Sequence, residues 1–465
     1  MKAFSQMQDR LLRSNFVANY GSVFVLILLC AYYSYMTYGE QQPISEAAGV
    51  EVGNTISDSI GPGGNVLIVI RNTVGDREFA TALEKQLKKN QVEVLDTLSG
   101  SPADLRKAME EIGAAGKSLG AIATHHAGAQ FGPIRRESLD KLQETYPSLS
   151  GVEVFIPKSY YWPTFLTREN LLNVVNQNAD VAIIAIGMTM VIITAGIDLS
   201  VGSILAVSAV VTAIALQSLG GANASVMTMA FCAFLGVFAC LLCGLFNGVM
   251  VTFFRVPAFI VTLAAMMIAR GVALILAVRY QSYLSGGTTE GTPEAIKITA
   301  QSFSTLGNGE FLSIPIPILL MLGLYALAHY VMSHTAFGRY LYAVGGNAEA
   351  ARLSGVPVTA VLIAVYAICA TMAGIGGVVD ASRFEGGRPN AGELYELQVI
   401  AAVVVGGTSL AGGEGRIFGT LTGAMIIAVI QNGLNMAGVK SYEQKVVFGL
   451  LILGAVVIDQ FKKRR

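Results

Sequence analysis

Polar and apolar positions divide this chain into two kinds of text. At 17–38, and again from about residue 165 to the end, apolar runs near twenty residues long follow one another with short polar breaks. That length carries a helix across the hydrocarbon of a bilayer. Ten such runs stand at roughly 17–38, 171–195, 199–218, 223–253, 257–280, 312–333, 357–380, 394–411, 416–437 and 443–461. Between the first two the period changes. "NVLIVI" reads as a strand, Asp76–Asn90 as an amphipathic helix, "VEVLD" as a strand, Pro102–Ala115 as a helix and "LGAIAT" as a strand. A helix near 137–146 and a strand "VEVFI" complete the series. Alternation of this kind predicts a parallel sheet. The flanks "EAAGVEVGNTISDSIGPGG" and "PKSYYWP" read as a linker and an interfacial aromatic belt around Trp162. Residues 281–311, rich in Gly, Ser and Thr, read as irregular.

The fold class this predicts is an α-helical polytopic membrane protein, with about ten transmembrane helices and an inserted small α/β extracytoplasmic domain. Residues 1–40 hold the first span, 41–164 the insert with its linkers, and 165–465 the membrane core. Composition agrees. The chain is 53% hydrophobic and 13% charged, with a mean hydropathy of +0.58, where soluble domains run to roughly a quarter charged. Its 31 Lys+Arg balance 31 Asp+Glu, which leaves no basic field for nucleic acid. The first run is longer than the apolar stretch of a cleaved signal, and no A-x-A site follows it. Short-loop Lys and Arg set orientation. Lys2, Arg10 and Arg13, then Arg255, Arg339 and Arg352, then the closing "FKKRR" all fall on one side of a ten-span chain. That side is the cytoplasm, so both termini lie inside and the insert outside.

Candidate chemistry begins at "ITAGIDLSVGS", residues 193–203, where Asp198 stands in an apolar setting. Gly196 can end one helix in a left-handed cap, and Asp198 or Ser200 can cap the next. Helix ends near hydrocarbon leave backbone groups that lipid cannot satisfy, so capping explains the carboxylate more cheaply than the alternative of a proton or cation site. Residues 334–356 form the longest cytoplasmic loop. Within it "NAEAARLSG" reads as a short capped helix, with Asn347 as N-cap, Glu349 in the first turn, Arg352 late and Gly355 as C-cap. "VVVGGTSLAGGEGRIFGTLTG" is glycine-rich but lacks the Gly-Lys-Ser/Thr ending of a phosphate-binding loop, so this chain is not expected to bind nucleotide. Gly415, Gly419 and Gly423, like Gly244 and Gly248, suit close helix packing. Polar residues at membrane depth include Asn178, Asn247, Arg270, Glu396, Gln398, Asn432 and Asn435. They serve either as glue between helices or as the lining of a path for a hydroxylated solute. Asn247, Arg270, Glu396, Asn432 and Asn435 are the candidates for the path. Cys240 and Cys243 sit in an apolar run with no second pair, which is the setting of buried thiols. The four histidines have no ligand spacing, and no nucleophile–base or paired-carboxylate arrangement stands out, so the chain does not read as an enzyme.

"ITAGIDLSVGSILAVSAVV", "NGVMVTFFRVPAFIVTLAAMMIARGVAL", "FGRYLYAVGGNAEAARLSGV", "RPNAGELYELQVIAAVVVGGTSLAGGEGRIFGTLTGA" and "NGLNMAGV" resemble, in order, the permease subunits of sugar-type ATP-binding-cassette importers. These are the ribose, xylose and galactoside permeases and their autoinducer-2 relative. The resemblance covers 1–38 loosely and 165–465 closely. It implies passage of a monosaccharide-like solute across a bacterial inner membrane, a second permease copy, a cytoplasmic ATP-binding subunit that holds ATP and Mg, and a periplasmic sugar-binding protein. It implies no cofactor in this chain. It also implies that 338–355 couples to the ATPase, through Gly338, Arg339, Asn347, Glu349, Ala350, Arg352 and Gly355. The insert departs from the family, which has a short loop there, and its pattern is similar to part of one lobe of a sugar-binding protein. Two readings from other classes stay open beside this one: an ion-coupled secondary transporter using Asp198, and a membrane-tethered sensor.

Overall fold

The computed structural model describes residues 15–284, 286 and 293–463. Lys2, Arg10, Arg13 and the last two arginines lie outside the described residues. The chain divides into two compact units, one of residues 38–164 and one of residues 1–37 together with 165–465. Helix α1 (Asn15–Met36) belongs to the larger.

The smaller unit opens with β1 (Tyr38–Gln41). Then follow α2 (Glu46–Ile60), β2 (Asn65–Ile70), α3 (Val74–Lys89), β3 (Glu93–Ser99), α4 (Pro102–Ala114), β4 (Ala121–Thr124), α5 (Arg136–Thr145), β5 (Glu153–Phe155) and β6 (Tyr160–Pro163). Strands β2 to β5 make a parallel sheet in the order β3–β2–β4–β5. The pleat sends alternate residues of β2 to opposite layers. Val66, Ile68 and Ile70 pack with Val52, Ile56, Phe79 and Leu83 of α2 and α3, while Leu67 and Val69 pack with Leu105 and Met109 of α4. Helix α2 replaces the expected linker. Its buried residues Ala48, Val52 and Ile56 recur every fourth position, and Gly49 lets α3 approach so closely that a Cβ there would collide with the Phe79 carbonyl. The aromatic stretch read as a belt is also more ordered than expected. It forms β6, which pairs antiparallel with β1 and brings the two ends of the unit together. Gln41 Nε2 reinforces the ribbon, donating to the Trp162 carbonyl at 3.0 Å and to Thr164 Oγ1 at 2.8 Å.

Past the carboxyl ends of β2 and β4 the unit holds a buried carboxylate, Asp76, between a histidine and an arginine. His125 Nε2 lies 3.1 Å from Asp76 Oδ1, with both side chains fully buried, and Arg71 Nε lies 3.3 Å from Asp76 Oδ2. His125 Nδ1 accepts the Gly128 amide at 3.1 Å, which leaves the ring hydrogen to Nε2. Burial holds the His125 pKa below its ordinary value, against the attraction of Asp76. Burial also disfavours the Asp76 carboxylate, but hydrogen bonds from Thr73 and Arg71 and the charges of His125 and Arg71 outweigh it and hold that pKa low.

The larger unit continues with α6 (Arg168–Gln177), α7 (Ala179–Ile193), α8 (Val201–Leu219), α9 (Val226–Thr252), α10 (Ala258–Leu284), β7 (Ile296–Lys297) and α11 (Gln301–Asn308). A hairpin of β8 (Glu310–Phe311) and β9 (Ile314–Pro315) leads to α12 (Ile316–His334), α13 (Ala336–Gly346), α14 (Ala348–Leu353) and α15 (Val358–Arg383). Last come β10 (Gly386–Gly387), α16 (Tyr395–Val405), α17 (Ile417–Met436) and α18 (Ser441–Lys463). Among the described residues six helices, α8, α9, α10, α12, α15 and α17, are long and apolar enough to cross a membrane, and α6 with α7 form a seventh bent by 46°. This is a mostly helical, multi-pass membrane protein. Every apolar run is helical, but α16 has only 11 residues and reaches about half the thickness of a bilayer.

Helix α15 packs against α7, α8 and α9. Small residues permit it: a Cβ on Gly187 of α7 would stand 2.5 Å from the Cys369 Cα, and one on Gly244 of α9 2.5 Å from the Tyr366 carbonyl oxygen. The loop expected to be irregular is structured where described. β7 pairs with β10, and α11 docks on α15. Gly307 N–H donates to Ser382 Oγ at 2.7 Å, and Ser382 Oγ donates to the Phe303 carbonyl at 2.6 Å. Composition hid this order, because main-chain pairing carries it.

Candidate functional site

The first cluster is the break between α7 and α8. The Ala195 amide donates to the Ile192 carbonyl at 2.9 Å and the Gly196 amide to the Val191 carbonyl at 3.0 Å, the paired bonds that close a helix when the residue after the cap turns left-handed. That residue is Ala195, with φ +60°, and not Gly196 as the sequence suggested. Gly196 serves a different need: a Cβ there would stand 2.7 Å from the Tyr366 hydroxyl. Asp198 then organises the start of α8. Its Oδ1 accepts the Ser200 amide at 2.9 Å and the Ser200 hydroxyl at 2.5 Å, and Asn247 Nδ2 of α9 donates to Ser200 Oγ at 3.0 Å. Ser200 occupies the N-cap, yet its side chain makes no cap bond to α8. Asp198, Ser200 and Asn247 are fully buried. Asn247 is thus packed into this knot.

The second cluster forms where the chain turns back after α15. Arg270, midway along α10, donates through Nη1 to the carbonyls of Pro389 and Ala391, each at 2.8 Å. Those carbonyls belong to the run of turns before α16, and lipid offers such groups no partner. Leu394, with φ +65°, turns the chain into α16. The starts of α8 and α16 meet here. A Cβ on Gly202 would collide with the Gly392 carbonyl and stand 2.8 Å from Glu396 Oε2. The positive starts of α8 and α16 and the Arg270 guanidinium therefore gather about the Glu396 carboxylate.

A third cluster was not anticipated. Asp180 in the first turn of α7 and Asp380 near the end of α15 are both fully buried. Arg383 Nη1 lies 3.7 Å from Asp180 Oδ2, and its Nη2 donates to the Asn176 carbonyl at 2.6 Å. Arg388 Nη2 donates to Asp380 Oδ1 at 2.6 Å while the guanidinium covers the Phe384 ring at 3.6 Å. Tyr395 OH donates to Asp180 Oδ2 at 3.4 Å. The signal was available: "NADVAIIAIG" and "VVDASRFEGGR" place acids and arginines in apolar surroundings, where they demand partners. Two of the proposed path residues lie nearby on α17. Asn432 and Asn170 exchange amide bonds at 3.2 and 2.9 Å, and Asn435 Oδ1 accepts from Gln444 Nε2 at 2.8 Å.

At the other end of α15 lies the loop 334–356, which holds two helices where the sequence suggested one. Thr335 caps α13, its Oγ1 accepting the amide of buried Gly338 at 3.4 Å, and Arg339 is exposed. Asn347 Oδ1 accepts the amides of Glu349 and Ala350 at 3.1 and 3.0 Å. Gly355, with φ +86°, ends α14, and exposed Glu349 and Arg352 lie 3.6 Å apart. Ala351 faces inward, while Ala350 faces outward and Leu353 is 83% exposed. Tyr342 OH donates to the Gly415 carbonyl at 2.8 Å, so α13 is pinned to the turn between α16 and α17.

Residues 170–456 match the family model described as "Branched-chain amino acid transport system / permease component", which leaves 38–164 outside the match. The chain is 43% identical over 303 residues to the ribose import permease protein of Escherichia coli, covering 65% of this chain and 88% of that one. It is 40% identical over 321 residues to the ribose import permease protein of Bacillus subtilis, covering 69% and 94%. To the galactose/methyl galactoside import permease protein of Salmonella typhimurium it is 36% identical over 308 residues, covering 65% and 90%. No solved structure matches the chain.

Proposed function

Because this chain belongs to the family of transport-system permease components, we propose how its clusters divide the work of moving a solute. The chain is the permease subunit of an ATP-driven sugar importer, and its solute is monosaccharide-like, as for the ribose and galactoside permeases. The alternatives of an ion-coupled carrier and a tethered sensor are not favoured.

The observation that supports a path through this chain is α16, a half-span preceded by a run of turns whose carbonyls Arg270 holds. Broken helices that expose polar backbone at mid-depth are where membrane carriers place their solutes. Arg270 and Glu396 are the path residues we favour, and Asn247 is structural. The α13–α14 loop engages the cytoplasmic ATP-binding subunit, with Ala350 and Leu353 on the docking face and Asn347 and Gly355 fixing the helix ends. Gly338 seats α13 and Arg339 flanks it. ATP and Mg belong to that partner, and this chain carries no cofactor. A second permease copy completes the passage. Both termini lie in the cytoplasm of a bacterial cell, and residues 38–164 face outward to dock the periplasmic sugar-binding protein. A single lobe offers no second wall to close over a sugar.

Proteoliposomes holding this chain, its ATPase and its binding protein test the reading. Sugar uptake should require ATP and should survive collapse of the ion gradients. Uptake that follows a proton or sodium gradient without ATP would sink it.

A further inference from the structure

At the ends of α6, α15 and α17 opposite the α13–α14 loop lies a cavity of about 290 Å³. Its walls carry five side-chain amides, from Gln177, Asn178, Gln431, Asn432 and Asn435, and two aromatic rings, Phe384 and Tyr395. The amides are unequally engaged. Asn178 donates to the Val174 carbonyl at 2.9 Å, and Asn432 and Asn435 are paired as described. Those of Gln177 and Gln431 hydrogen-bond to no other group among the described residues. Arg383 also lines the cavity, but its guanidinium is tied to Asp180 and to the main-chain carbonyls of Asn176 and Gln177.

We propose that this cavity is a binding site for one uncharged polyhydroxylated molecule of monosaccharide size, a station of the solute before it reaches the stretch held by Arg270. The proposal rests on the importer reading. Charge decides the class first. No carboxylate lines the cavity, so a cation finds no counter-charge, and the one guanidinium is already engaged, so an anion finds little. Hydrogen-bonding type decides next. A hydroxyl both donates and accepts, and each side-chain amide does the same with two groups held in one plane. A ring of hydroxyls therefore matches a ring of amides, whereas an apolar amino-acid side chain would leave them unpaired. The face of the Phe384 ring that Arg388 leaves uncovered, and Tyr395, offer flat apolar surfaces to the C–H faces of a sugar. Size decides last. The volume sits at the small end of the ~300–1,000 Å³ typical of ligand sites, which suits one ring and not an oligosaccharide.

The test is equilibrium binding of radiolabelled D-ribose, D-xylose and D-galactose to the full chain in nanodiscs, with no partner subunit. At least one sugar should bind saturably and be displaced by its unlabelled form, but not by leucine. The Gln177→Leu/Gln431→Leu variant should lower its affinity tenfold or more. Phe384→Ala, a change at an exposed helix end, should also weaken it, and serves if the double variant does not fold. Displacement by leucine, or sugar binding that neither variant changes, would overturn the site. Absence of saturable binding in a chain that still supports ATP-driven uptake would overturn the site and leave the importer reading standing. Binding that is intact in a chain with no ATP-driven uptake would count against the importer reading alone.

Discussion

The amide of Gly413 donates to the carbonyl of Ile193 at 2.8 Å, tying the turn between α16 and α17 to the last residue of α7. A third segment closes over the same point, since a Cβ added to Gly345 of α13 would collide with that carbonyl. The helix that ends above the Asp198 knot, the half-span and the loop assigned to the ATPase thus share one junction. Movement of the loop must be felt at both breaks.

Gly345→Ala should therefore wedge the junction open, at about 1–3 kcal/mol of overpacking. Its neighbour is the control: a Cβ on Gly346 meets nothing within 4 Å. Thermal unfolding in detergent should fall for Gly345→Ala and hold for Gly346→Ala, with uptake following the same order.

Asp198 is an organiser of backbone, so its hydrogen-bonding shape matters more than its charge. Asp198→Asn keeps an acceptor for the Ser200 amide and hydroxyl and should retain most uptake. Asp198→Leu leaves both donors unpaired in a buried site, a loss of about 1–3 kcal/mol. Normal amounts of an Asn variant with no uptake would show that the charge itself is required.

On α14 the two faces should respond differently. Ala350→Trp changes an exposed position and should abolish ATP-driven uptake and ATPase recruitment while the melting temperature stays put. Ala351→Trp fills a buried position and should destabilise the chain instead. Recruitment and uptake at normal levels in Ala350→Trp would remove the loop from the ATPase interface.

The smaller unit should weaken in mild acid. An unfolded His protonates near pH 6.5, whereas burial keeps folded His125 neutral to lower pH. The unfolded state thus takes up the proton first, and stability present above about pH 6.5 is lost as pH falls toward the folded pKa. Asp76, also held low, adds a further loss below the ordinary carboxylate range. Hydrogen exchange of β2 and β4 in the full chain, corrected for intrinsic rate, should show less protection at about pH 5.5 than at about pH 7.5. His125→Gln, which keeps a donor and an acceptor but does not titrate here, should flatten the difference.

Periodicity revealed what hydrophobicity drives and missed what closeness or pairing drives. The strands "NVLIVI" and "LGAIAT" and the helices after them were legible because each buries a continuous apolar face. Helix α2 was not, because its contact with α3 runs through Gly49 and Ala48, which carry almost no hydropathic weight. Asn347 and Gly355 could be read as helix ends from residue type alone. The left-handed turn could not be placed, since Ala195 is an improbable occupant and Gly196 the obvious one until Tyr366 is seen beside it. The acids Asp180 and Asp380 stood in plain view in the text. Arg383 could not be assigned to Asp180, because only the fold brings α15 to the start of α7. Arg388 could not be assigned to Asp380, because only the turn after α15 folds it back eight residues.

The half-span α16 has an electrical consequence. Eleven helical residues rise about 16 Å, against ~30 Å of hydrocarbon, and the turns before them replace lipid with polar main chain and the Arg270 guanidinium. Across layers of unequal polarity the voltage falls mainly over the apolar one. A membrane potential applied across this protein is therefore concentrated along α16, where the field is about twice that in the surrounding bilayer. On the path proposed above, a neutral solute would cross that stretch without electrical work, whereas an ion would meet the steepest part of the potential there.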